Sequence, residues 1–383
     1  MIARAAVACL ALLLVGCAGD RPVHGDLLVT ADRVFDGERV IEEGAVLIDG
    51  RSIARVGRRA DLDVEAERTI ALGDATLLPG LIDLHVHASS ALPELLLANG
   101  LTTVRDLAAP ISLLRAPRER SGRLRVLGAG PIVTAAPNGY PITAHGAPLG
   151  EPVAGVVGAR ASVRKLVRRG ASVIKIALEP SGGLPLLSLA EARAIVDEAH
   201  RADRIVTAHV TERRGARLAL EAGVDELAHM PCMEDDDRLM ADLARARLPV
   251  VATLHVEREA GPAFCPAGMA NARTFVRAGG QLLYGSDMGN PGIPFGVDVE
   301  ELRLLRRAGL SAREVLWAAT ADAGRRLGRA PLGSLVAGAP ADLLPSRGTR
   351  SPTSDTSAGL SSSSRAAPSS SRTAGRPGTR LAG

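Results

Sequence analysis

The spacing of apolar positions divides the chain into two unlike parts. Between residues 26 and 78 apolar residues come in short runs with the period of two expected of strands. The runs are 26–30, 44–50, 52–57 and 75–78. Asp-Gly pairs at 36–37 and 49–50 supply the turn residues that hairpins favour. This stretch reads as a small β module. From Leu81 onward, strand-length apolar runs alternate with amphipathic helical stretches. Strands are predicted at 81–86, 101–107, 125–134, 172–178, 204–210, 224–230, 249–256 and 281–287. Helical periodicity occupies 154–169, 189–201, 213–222 and 236–247, then 297–308 and 312–327. Eight β/α repeats over about 250 residues predict an α/β fold, the (β/α)8 TIM barrel.

The two ends depart from this pattern. Arg4 precedes an apolar stretch, 5–15, that is too short to span a bilayer. It ends in Leu14-Val15-Gly16-Cys17, which resembles a bacterial lipobox. That resemblance implies lipidation of Cys17, a membrane anchor, and a cell-envelope location. Ala18 after the cysteine favours the outer membrane, facing the periplasm or the cell surface. A plain secretory signal is the alternative. Residues 1–17 are thus read as signal, 18–25 as linker, 26–78 as β module, 79–330 as barrel and 331–342 as a return toward the module.

Residues 343–383 carry eleven Ser and no aromatic residue, too little apolar surface to offset the entropy of ordering. They read as a disordered low-complexity tail. Its abrupt onset is what an altered reading frame would produce, with a natural tail as the alternative. The net charge of +4 belongs to the ends. The tail holds six Arg against one Asp and Arg4 adds one more, so residues 18–342 sum to −2. No nucleic-acid partner is implied. Cys232 and Cys265 remain once Cys9 and Cys17 are assigned to the signal. They can pair as a disulfide in an oxidising compartment or stay as two buried thiols, and the thiols are expected.

Chemistry in a barrel sits where the strands end at the C-terminal face. His85 and His87 close the first predicted strand, and side chains two apart on a strand share a face. Lys175 ends the fourth, where so apolar a run makes a lysine costly unless paired or modified. His209 ends the fifth, His229 the sixth and Asp287 the eighth. Any one of these is more often a satisfied structural residue. Their joint placement on successive strands points to a metal centre.

This set resembles the amidohydrolase superfamily. The resemblance rests on Leu78-Pro79-Gly80-Leu81-Ile82-Asp83-Leu84-His85-Val86-His87, on 100–106, on 222–229 and on Gly338-Ala339-Pro340-Ala341-Asp342. Within it the chain is similar to the imidazolonepropionase-like branch that includes Xaa-Pro dipeptidases. The resemblance implies that the β module is a sandwich whose C-terminal strands are lost here. It also implies two divalent metal ions, with zinc expected and manganese or iron as alternatives. Lys175, carboxylated, would bridge them. His85, His87 and Asp287 would hold one ion, and His209 and His229 the other. A metal-activated hydroxide would then cleave a C–N bond, with Asp287 as the catalytic acid-base.

The implied substrate is a small molecule, a dipeptide or an N-acyl amino acid. Dipeptidase-like relatives carry Gly-Gly-His-Gly where this chain has Thr143-Ala144-His145-Gly146. His145 is thereby a candidate for polarising the carbonyl or binding a substrate carboxylate, or else it only caps the loop. Tyr140 is a further substrate-binding candidate, and so is His255, which is read as ending the seventh strand at the same rim, with a structural hydrogen-bonding histidine as the alternative. Arg105 and Asp106 are expected to be ion-paired or supporting. Two other readings stay open: hydrolysis of a cyclic amide, and a non-catalytic, surface-anchored binding protein. An oligomer is compatible with all of them.

Overall fold

The computed structural model describes residues 22–87, 92–114, 123–141 and 149–347. Cys17 and His145 lie outside the described residues. The N-terminal module is one mixed six-stranded sheet built from β1 (Val23–Phe35), β2 (Val40–Asp49), β3 (Ser52–Arg58), β4 (Val64–Ala71), β5 (Thr76–Pro79) and β16 (Leu343–Ser346). Both expected hairpins form: β1 pairs β2 and β2 pairs β3, antiparallel. In the first turn Asp36 Oδ1 accepts the N–H groups of Glu38 and Arg39, each at 2.8 Å, and Gly37 takes φ +105°, which only glycine adopts without strain.

Three features of this sheet differ from the sequence reading. The first strand starts at Val23, inside the supposed linker, because it pairs in parallel with β4. β4 itself is mostly exposed, so its apolar alternation is weak and gave no strand signal. The chain also returns to the module. Leu343–Ser346 pairs antiparallel with β5 in a stretch that composition assigned to the tail. Leu343 and Leu344 are apolar enough to seat there, and they pack on the sheet core and the main core respectively. Residues 348–383 lie outside the described residues.

The larger part alternates strands and helices. β6 (Leu81–Val86), β7 (Leu101–Asp106) and β8 (Arg125–Gly128) form one parallel sheet. β9 (Ile132–Ala135), β10 (Gly150–Val153), β11 (Ile174–Ala177), β12 (Val206–His209), β13 (Glu226–Ala228), β14 (Val250–Val251) and β15 (Leu282–Leu283) form a second, ordered β10-β9-β11-β12-β13-β14-β15. The single strand expected over 125–134 is therefore two. The chain leaves the first sheet after Gly128 and joins the second at Ile132, turning through Gly130 at φ +76°. The ladders form two sheets and not one continuous ring. Backbone hydrogen bonds cross both gaps: Leu84 N to Tyr284 O at 3.2 Å, His87 N to Met288 O at 2.6 Å, and Ser172 N to Gly128 O at 3.0 Å.

The helices are α1 (Pro93–Ala98), α2 (Gly155–Arg168), α3 (Leu189–His200), α4 (Arg213–Ala222), α5 (Asp237–Arg245), α6 (Leu254–Ala260), α7 (Gly268–Arg277), α8 (Val299–Ala308), α9 (Ala312–Ala318) and α10 (Ala321–Arg326). α2 buries Ala159, Ser162, Val163 and Leu166, the i, i+3, i+4, i+7 stripe of an amphipathic helix. α3 and α9 each start with a capping box, Ser188 with Glu191 and Ser311 with Glu314, which satisfies otherwise orphaned N–H groups. The main core lies between these helices and the parallel strands. All six residues of β6 are buried, so His85 is carried on a rigid element.

Candidate metal centre

His85 is the fifth residue of β6 and His87 follows its end. Asp287 follows β15, and the N–H of Asp287 donates to the carbonyl of His85 at 2.8 Å. The first and last strands of the set thus deliver their ligands side by side. Asp287 Oδ1 lies 2.9 Å from His87 Nε2 and 3.4 Å from His85 Nε2. These three residues present one donor atom each within 4.8 Å of one another, the arrangement of a cation site. His209, the last residue of β12, and His229, just beyond β13, extend the cluster. His229 lies 4.7 Å from the His85 ring and 4.5 Å from that of His209, centroid to centroid. His229 Nδ1 is 3.9 Å from Asp287 Oδ2.

Lys175 sits in the second position of β11, paired with Thr207, and not at the strand end. Its long side chain still reaches the cluster, because its charge acts on His85, His87 and His229. Burial pushes Lys175 down to about 7; Arg105 adds to this, while Asp287 and Glu226 oppose it. Burial also holds His85 and His229 well below the usual histidine range, with Lys175 and neighbouring imidazoles adding repulsion. Both are therefore neutral, the form that binds a metal. Burial would lower His87 too, but the Asp287 carboxylate raises it above its ordinary value.

Four polar atoms here are buried without a hydrogen-bond partner: Nδ1 of His85, Nδ1 of His87, Nζ of Lys175 and Oδ1 of Asp287. Buried polar groups are nearly always satisfied. So many orphans in one spot, on residue types that ligate metals, fit divalent cations. His229 and Asp287 also hold positive φ, +80° and +58°, which non-glycine residues adopt at a cost and mostly at functional sites.

The surroundings fix these groups. Asp83 accepts from Ser286 Oγ at 2.6 Å, Ser286 N at 3.1 Å and His85 N at 3.0 Å, tying the two ligand-bearing segments together. Burial raises Asp83 to about 7, against those hydrogen bonds. Arg105 is ion-paired as expected. It is fully buried, binds Glu226, and donates its Nε–H to the Leu84 carbonyl at 2.7 Å. Asp106 Oδ1 accepts the N–H of Ala108.

Tyr140 stacks on His209 at 4.3 Å, so it belongs to the same pocket. Burial raises its phenol above the ordinary value, and Asp287 and Glu179 add to that. His255 is not at a strand end. β14 stops at Val251, and His255 lies in the first turn of α6 with Nδ1 2.6 Å from Asp298 Oδ2 and Nε2 3.5 Å from Glu259. Both its nitrogens thus face carboxylates.

Sequence reasoning missed Glu179. Its carboxylate accepts from Thr211 N and Oγ1 and lies 3.8 Å from His209 Nε2. It stands four residues after Lys175, outside the strand pattern, so periodicity gave no sign of it. Asp83 was missed too, although a charge inside an apolar run could have flagged it. Cys232 and Cys265 are disulfide-bonded, with Cα atoms 4.8 Å apart, in place of the expected free thiols. Spacing along the chain could not reveal that α7 begins beside Cys232.

The model of the amidohydrolase family matches residues 76–358. Ochratoxinase of Aspergillus niger is 30% identical over 214 residues, 50% of this chain and 44% of the relative. The chain thus spans less than half of that protein's length. Imidazolonepropionase of Anaeromyxobacter dehalogenans is 26% identical over 385 residues, covering 83% of this chain and 87% of the relative. Among solved structures, a prolidase complexed with N-methylphosphonate-L-proline superposes with a TM-score of 0.70 at 24% identity. It covers 84% of this chain and 93% of that one, a likeness of fold.

Proposed function

We propose that this chain, which belongs to the amidohydrolase family, is a hydrolytic enzyme that cleaves the C–N bond, amide or peptide, of a small dipeptide or N-acyl amino acid. The supporting observation is the gathering of His85, His87, Lys175, His209, His229 and Asp287 from five separate segments, with Lys175 Nζ buried and partnerless. A non-catalytic binding protein does not account for that set.

In this reading His85, His87 and Asp287 would hold one divalent cation and His209 and His229 a second, and Lys175, once carboxylated, would offer its carbamate oxygens as further ligands. Zinc suits imidazole and carboxylate donors, with manganese and iron as alternatives. Cations bound there would supply Lewis acidity for activating a water and a carbonyl. Held near 7 by burial, Lys175 is substantially the free amine that carboxylation by CO2 requires. Asp287 takes the proton of the attacking water at a carboxylate oxygen and hands it to the leaving nitrogen. Tyr140 stays a neutral phenol and can donate a hydrogen bond to substrate. His145 enters the reading from the sequence alone. A closed (β/α)8 barrel is part of the same proposal, supported by the backbone hydrogen bonds across both gaps. So is anchoring through Cys17, tested by labelling cells with a fatty-acid analogue.

Elemental analysis of the purified chain, with a screen of dipeptides and N-acyl amino acids, tests the proposal. Two ions per chain and hydrolysis are expected, and Lys175→Ala should lose both while staying folded. Wild-type metal content and turnover in that variant would overturn the assignment. The cyclic-amide reading is favoured by one observation, that imidazolonepropionase aligns over more of the chain than ochratoxinase does. Turnover of cyclic amides alone would replace the first reading with the second.

A further inference from the structure

A second cluster of potential ligands stands apart from the histidines. Cys232 Sγ, Cys265 Sγ and a carboxylate oxygen of Glu257 all lie within 4.8 Å of one another. Cys232 is fully buried on the segment after β13, Glu257 lies on α6, and Cys265 is half-buried just before α7.

Three features make this a built site. Glu257 is 6% exposed, and its Oε2 is buried with no hydrogen-bond partner. Its Oε1 accepts the N–H of Met230 at 3.0 Å, which fixes the carboxylate. Gly268, the first residue of α7, leaves room for it: a Cβ there would collide with Glu257 Oε2 and stand 3.3 Å from Cys232 Cβ. The frame is also pinned. Ala267 N donates to Cys232 O at 2.9 Å, Cys232 N donates to Thr211 O at 2.8 Å, and Asn271 Nδ2 donates to the carbonyls of Pro231 and Glu234. The sulfurs should therefore stay close when their bond is broken.

We propose that reduction of the Cys232–Cys265 disulfide opens a cation site in which the two thiolates and Glu257 bind one thiophilic divalent ion such as Zn2+. A dithiol reductant transfers two electrons and two protons to the S–S bond, giving two thiols and its own cyclic disulfide. The cation then displaces the two thiol protons and, through Oε2, any proton on Glu257. Thiolate donors with one carboxylate suit zinc. Half-exposed Cys265 gives the ion its path, and water can complete the coordination. Disulfide and cation are mutually exclusive, because the S–S bond consumes both thiolates.

Anaerobic titration of the full-length chain with Co2+ tests this. Thiolate-to-cobalt charge transfer absorbs in the near ultraviolet. The histidine centre carries no sulfur, so the band reports only the new site. A Cys9→Ser/Cys17→Ser background removes the other two cysteines. Reduced protein should show the band, saturating at one Co2+ per chain, and oxidised protein should not. Cys265→Ser should abolish it, and Glu257→Gln should weaken Co2+ binding there at least about tenfold. Absence of the band in reduced protein, its survival in Cys265→Ser, or unchanged affinity in Glu257→Gln would each overturn the proposal. Circular dichroism of the half-buried Cys265→Ser variant establishes that it is folded.

Discussion

Replacing Glu226 with glutamine isolates what the buried charges contribute to this scaffold. Glu226 is fully buried at the start of β13 between two guanidinium groups. Arg105 on β7 is likewise fully buried and pairs with Oε1, while Arg326 on α10 donates to Oε2 at 2.6 Å. Burial alone would raise this carboxyl. Arg105 and Arg326 outweigh it and bring Glu226 down to about 2. Against the ordinary glutamate value, that shift corresponds to roughly 3 kcal/mol of native-state stabilisation. Removing one partner of a buried pair costs a similar amount, about 3–5 kcal/mol, because the other charge is left uncompensated. Here that other charge is Arg105, whose Nη1 already lacks a partner.

Denaturant unfolding of chelator-treated wild type and Glu226→Gln, across pH, measures this cost. The native value lies below the ordinary one, so the contribution is full above the ordinary glutamate range. It is lost as pH falls toward 2. The gap between the two proteins should be about 3 kcal/mol at neutral pH and close on acidification, where protonated Glu226 resembles glutamine. The double variant Arg105→Met/Glu226→Leu should recover part of the loss, since it leaves no stranded cation. A gap under about 1 kcal/mol at neutral pH, or one that stays constant on acidification, would refute the reasoning.

Other perturbations separate the site from the scaffold. Gly285→Ala would drive a Cβ into Val251 and to 2.9 Å from His85 Cβ, so metal affinity should fall by about 10–100-fold while the chain still folds. Gly158→Ala, in α2 with open space around it, should instead gain up to about 1 kcal/mol and leave metal content unchanged. Thermal unfolding of the two variants, with elemental analysis, checks both. Ser286→Ala removes the 2.6 Å hydrogen bond to Asp83 and should cost about 1–3 kcal/mol in denaturant unfolding. Ending the chain after Asp342 deletes β16 and should lower the melting temperature relative to ending it after Arg347. Equal melting temperatures would show that the returning strand contributes nothing.

Most strands of the larger part were legible as apolar runs, whereas β10 was not predicted, and several of those runs end at a polar residue that apolar surroundings cannot explain. His85, His87, His209, His229 and Asp287 stand out for that reason, and the structure brings them together. What stayed illegible has physical causes. The break at Gly130 falls in Gly128-Ala129-Gly130-Pro131, a breaker signal that the reading of 125–134 as one strand passed over. β4 is exposed and lacks alternation. β16 is four residues long, with only two leucines to mark it in a serine-rich setting. His255 was misplaced because an apolar run of 249–256 does not say where strand gives way to helix.

The buried charges explain why the ligand geometry can hold. His229 and Asp287 sit at positive φ, which costs of order 1–3 kcal/mol each and persists only where neighbours over-determine it. Those neighbours are on hand. Asp83 grips Ser286 next to Asp287 and the N–H of His85 together. Thr253, itself at positive φ, holds His229 Nδ1 at 2.8 Å, and Glu257 holds the N–H of Met230 beside it. Each contact constrains the backbone or ring of a proposed ligand without occupying the atoms left orphaned at the centre. A polar shell arranged this way is costly to bury, and an apolar one of equal volume would suit stability better. Its arrangement around a single point is therefore better explained by preorganisation for a cation-dependent reaction than by folding.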